Sequence, residues 1–105
     1  MALFRCSSGS SGGGTLTAEF VTNITWQANA AVTIPTSKKA KAVVLKATSA
    51  TDLFYCIDEG GANPAYRQSG GTASFKFTFS NNAITSDSRW GTSDTYINCV
   101  VFYLD

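Results

Sequence analysis

The chain contains three cysteines, seven acidic residues and no histidine. Without an imidazole it has neither the commonest general base nor the usual metal ligand. It also has no Ser–His or Cys–His nucleophile pair. Cys6, Cys56 and Cys99 are scattered without CxxC spacing, so no zinc site is expected. The glycines form a leader run and the pairs Gly60-Gly61 and Gly70-Gly71, which are turn signals rather than a phosphate loop. Carboxylates alone can hydrolyse a glycoside as an acid/base pair. The candidates Asp52, Asp58, Glu59, Asp87 and Asp94 nearly all fall in expected turns, where such groups accept from backbone amides. Asp87 and Asp94 lack the alternating acidic ladder of a calcium loop. The residues therefore predict a protein that is not an enzyme and uses no cofactor or metal.

One loop has the composition of a recognition site: Asp87-Ser88-Arg89-Trp90-Gly91-Thr92-Ser93-Asp94. An exposed Trp90 would offer a pyranose ring an apolar plate, with Arg89, Asp87 and Asp94 serving its hydroxyls. The same indole could instead plug the end of the fold, and that structural role is the expected one. Asn23-Ile24-Thr25 has the form of a glycosylation acceptor, but it sits in a strand-like run and is read as coincidence. Lys38, Lys39 and Lys41 make the one basic cluster, read as a solvated turn rather than a contact for an acidic partner. A net charge of +1 gives no lever on phosphate, so nucleic acid is not an expected partner. No run has transmembrane length, and Met1-Ala2-Leu3-Phe4 is too short for a signal peptide. Synthesis in the cytoplasm and no membrane partner are expected.

A chain of 105 residues fits one domain, and 44% apolar against 14% charged residues describes a globular body with a Ser/Thr/Asn/Gln surface. Residues 7 to 14 are only Ser and Gly and predict a flexible tether behind a sticky Met-Ala-Leu-Phe-Arg-Cys start. The body runs from 15 to 105. Leu16, Ala18, Phe20, Ile24 and Trp26 share one parity of a half-buried strand. Further strands are expected over 31–34, 42–47, 52–58, 75–79, 83–85 and 96–104. Asp58-Glu59-Gly60-Gly61 and Asn63-Pro64 read as turns, and Asn81-Asn82 as a hairpin. Phe75, Phe77 and Phe79 should face the core. Cys56 and Cys99 lie inside strand-like runs as small apolar residues, with a bridge between them left open. No stretch carries a helical stripe, and seven or eight short strands predict an all-β, two-sheet β-sandwich of jelly-roll type.

A sticky Met-Ala-Leu-Phe-Arg-Cys start, a Ser/Gly tether and a Thr/Asn/Ala-rich β-domain resemble the small virion proteins of bacteriophages and prophages, namely tail-tip, fibre-associated and head-decoration components. The resemblance covers the whole chain in style. It implies a virion location and a homo-oligomer, often a trimer, attached to other virion proteins through its N-terminal arm. Leu3 and Phe4, with Arg5 beside them, would fill pockets on a neighbour while the arm adds a strand to an exposed edge. The tether would keep the domain's effective concentration high without fixing its orientation. A carbohydrate-binding module acting through the Trp90 loop on a cell-surface glycan is the alternative function, and the two can coexist.

Overall fold

The computed structural model describes residues 15–87 and 94–104. The expected anchor Leu3, Phe4 and Arg5, the tether, Cys6, and the loop residues Arg89 and Trp90 lie outside the described residues.

Eight strands make up the fold: β1 (Leu16–Trp26), β2 (Thr33–Pro35), β3 (Ala42–Ala47), β4 (Phe54–Ile57), β5 (Ala62–Arg67), β6 (Thr72–Ser80), β7 (Ala83–Ser86) and β8 (Thr95–Leu104). They pair antiparallel in the order β1-β8-β3-β4-β5-β6-β7-β2. The terminal strands β1 and β2 touch, so the sheet curls into a nearly closed barrel. The all-β class is as expected, but the strands form one sheet rather than two. A sandwich needs the ladder to break between its layers. Here every strand from β8 round to β7 has a hydrogen-bonded neighbour on both sides.

The periodicity of the sequence maps directly onto several strands. Along β6, Phe75, Phe77 and Phe79 are buried while Thr72, Ser74, Lys76, Thr78 and Ser80 face out. Asn81 and Asn82 turn the chain into β7 as expected, but neither uses the positive φ that Asn tolerates. Gly70 and Gly71, at φ 115° and 82°, close the β5–β6 turn, where Gly70 N–H donates to Arg67 O at 3.0 Å. A side chain at either position would be strained.

Two readings are corrected. Asn63-Pro64 is not a turn but lies within β5. Pro64 stands just before an irregularity in the β5–β6 ladder, the kind of place where a strand tolerates a missing N–H. Asn63 is buried and satisfied on both ends of its amide. Its Nδ2 donates to Gly61 O and Phe77 O, and its Oδ1 accepts from Glu59 N–H at 2.8 Å.

The second correction concerns β1. Val21 pairs with Cys99 and Ile24 with Ile97, so three residue steps on β1 oppose two on β8. This bulge, with Asn23 at φ 58°, flips the side-chain parity. Ile24 and Trp26 therefore point into the barrel as expected. Leu16, Ala18 and Phe20 fall on the outer side, in register with Leu104, Phe102 and Val100, where Ala18 is nonetheless buried and Phe20 is exposed. Asn23 N–H donates to Asn98 Oδ1 at 3.0 Å and holds the bulge in place.

The interior is aromatic at one end. Trp26 meets Phe75 edge-on at 5.0 Å, and Phe75 also contacts Phe54 and Phe77, each at 5.4 Å. Trp26 is fully buried and donates Nε1–H to Ala30 O at 2.9 Å, so its polar end is satisfied by the turn that follows β1.

Candidate functional site

Four of the acidic residues singled out from sequence accept from backbone amides. Asp87 Oδ1 accepts from Lys76 N–H at 2.7 Å, and Asp94 Oδ1 accepts from Ala28 N–H at 2.8 Å. The two carboxylates thus hold different neighbouring segments at the ends of the loop they bracket. Asp52 ties the 68–71 turn through Ser69 N–H and Oγ, at 3.1 and 2.7 Å. Asp58 accepts from Gly60 N–H at 3.0 Å. Turn amides take up Asp52, Asp58 and Asp94, as their positions in sequence predict, whereas Asp87 reaches an amide of strand β6. Among the described residues no three His, Cys, Asp or Glu side chains gather where they could hold a metal ion.

The lysine cluster is likewise tied into its surroundings. Lys39 Nζ lies 3.7 Å from Asp58 Oδ2, Lys41 Nζ donates to Asp58 O at 3.1 Å, and Lys38 Nζ stands 5.7 Å from the centre of the Tyr103 ring. Lys46 bonds Ala47 O and Ala50 O, closing the turn after β3.

Cys56 and Cys99 are free thiols in the barrel wall. They stand on β4 and β8 with β3 between them. Strands two apart are separated by about 9.6 Å, beyond the reach of a disulfide. Burial pushes their thiols up to about 11 and about 12.

At the barrel end where β1 begins, a polar clasp bridges the β1/β2 seam. Tyr103 Oη donates to Glu19 Oε1 at 2.6 Å and accepts from Ser37 N–H at 3.0 Å, while Ser37 Oγ donates to the same Glu19 oxygen at 2.9 Å. The bulge in β1 turns Glu19 inward, in register with Val101. Burial first, and then the bond to Glu19, raise the Tyr103 phenol above its ordinary value. Sequence alone gave no hint of this clasp, because Glu19 lies on the parity assigned to solvent.

The outer wall divides into two unlike halves. On β6, β7 and β2 the outward residues are Thr, Ser, Lys, Ala and Pro. On the other side, one cross-strand row runs Phe20–Val100–Val44–Tyr55–Tyr66 and the next runs Ala18–Phe102–Ala42–Ile57, with Leu16 opposite Leu104 beyond. No charged residue interrupts these rows. The Tyr55 and Tyr66 rings lie 5.7 Å apart. Lys46 and Asn98 border the face on one side, and Lys41 and Asp58 stand at the other. The apolar run Val100-Val101-Phe102-Tyr103-Leu104 carried the signal, since a strand apolar on both parities calls for cover on both faces.

No family, curated protein or solved structure matches the chain.

Proposed function

We propose that the chain is a non-enzymatic virion structural protein of a bacteriophage or prophage, a tail or decoration component. It self-associates through its barrel wall and attaches to a larger assembly through Leu3, Phe4 and Arg5 of its N-terminal arm. The observation that carries this reading is the uncharged apolar half of the outer wall. Continuous apolar faces of this kind mark interaction surfaces, whereas a catalytic or small-ligand site needs convergent polar groups. Asp52, Asp58, Asp87 and Asp94 lie on separate segments, and each accepts from a backbone amide. The Ser/Gly tether at 7–14 supplies the reach that an anchored module needs.

The glycan-binding alternative draws less support. Asp87 and Asp94, two of its four contacts, each direct a carboxylate oxygen at a backbone amide.

The test is detection of the chain in particles purified from cells of its source after induction. The full chain is expected in the particle band, and a chain lacking residues 1 to 14 in the soluble fraction with its melting nearly unchanged. A full chain found only among soluble proteins, or equal incorporation of the truncated chain, contradicts the anchoring role.

A further inference from the structure

The apolar outer face has the size and relief of an interface with a copy of itself. Phe20, Tyr55, Ile57, Tyr66 and Leu104 keep 51%, 43%, 52%, 37% and 55% of their surface exposed. At about 200 Å² for a large side chain, these five expose roughly 450 Å², and their half-buried neighbours on the same face bring the total to roughly 600 Å². A standard interface takes about 800 Å² from each partner, and a homodimer interface is about 65% apolar. The apolar area present therefore matches what one side of a stable homodimer supplies.

Shape and charge point the same way. Ala42 and Val44 of β3 form a low centre between two ridges, with Phe102 and Phe20 on one side and Ile57, Tyr55 and Tyr66 on the other. Under a two-fold axis, a ridge of each copy falls into the low centre of the other. The absence of charge on the face removes the repulsion that identical surfaces otherwise meet. Lys41 and Asp58 at one border, with Lys46 and Asn98 at the other, supply the polar rim.

We infer that two copies of the chain pair face to face through β8, β3 and β4, with Phe20 and Tyr66 flanking the contact. The inference rests on the self-association proposed above and names its surface.

Sedimentation equilibrium on the full chain and two variants tests it. Ile57→Lys adds a charge at an exposed site on the face, and Thr78→Lys adds the same charge to the polar wall of β6. The dimer is expected to persist in Thr78→Lys and to weaken by about tenfold or more in Ile57→Lys, since a charge at an interface centre is strongly disfavoured. Far-ultraviolet circular dichroism is expected to be unchanged in both. If Ile57→Lys unfolds, Phe20→Lys, on the opposite ridge, replaces it with the same expectation. A monomeric full chain, equal effects of the two charges, or a dimer lost on removal of residues 1 to 14 overturns the inference. The last result would make the arm, not a second barrel, the occupant of the face. Failure of the anchoring role appears in particle incorporation instead, so the two outcomes are distinguishable.

Discussion

At the scale of single residues, the chain directs most of its polar chemistry at its own backbone. Asp52, Asp58 and Asp94 each accept from an amide in a turn, Asp87 accepts from Lys76 N–H in β6, and Asn63 makes three bonds from a buried site. The cysteines behave as small core residues. Their folded values of about 11 and about 12 stand above the ordinary 9.0, so the folded chain holds these protons longer than the unfolded one. Their contribution to stability is therefore full below pH 9.0 and lost as pH rises through about 11 and about 12. Tyr103, raised for the same reason, acts in the same direction. Because the thiolate is the reactive form, iodoacetamide at about pH 8 should leave Cys56 and Cys99 unmodified in the folded protein and modify both in denaturant. Modification of either in the folded state, read by peptide mass, contradicts their burial.

At the scale of elements, the bulge in β1 decides which residues reach the surface. An Asn at φ 58° costs little, whereas a β-branched residue there is strained. Asn23→Val should cost about 1–2 kcal/mol and Asn23→Gly a few tenths, measured by urea unfolding. Equal costs would mean that the bulge does not depend on this conformation. The same bulge marks the limit of what the sequence could reveal. An even-numbered apolar parity from Leu16 to Trp26 is real, but one inserted residue sends its two halves to opposite faces, and periodicity cannot register that step. Strand β6 was legible because its alternation is unbroken, β3 because its residues form a compact apolar run, and β7 because it returns directly from the Asn81-Asn82 turn. Strand β5 was hidden because Asn63-Pro64 has turn chemistry, which Asn63 instead directs at the backbone of Glu59, Gly61 and Phe77. The outer face was half legible. The apolar run in β8 was visible, but its solvent side was not, since the pairing that aligns Phe20, Val100, Val44 and Tyr55 joins residues distant in sequence.

At the scale of the molecule, a barrel with one aromatic core also carries a second apolar surface on half of its outer wall. Burying that surface is worth on the order of 25 cal/mol per Å², which would drive the proposed self-association. The central claim is that the chain works by associating rather than by catalysing, and its mass in solution tests that most directly. Sedimentation velocity at tens of micromolar should find a species of twice the 11.1 kDa of the chain, with a share that falls on dilution. A single 11.1 kDa species at every concentration contradicts the account.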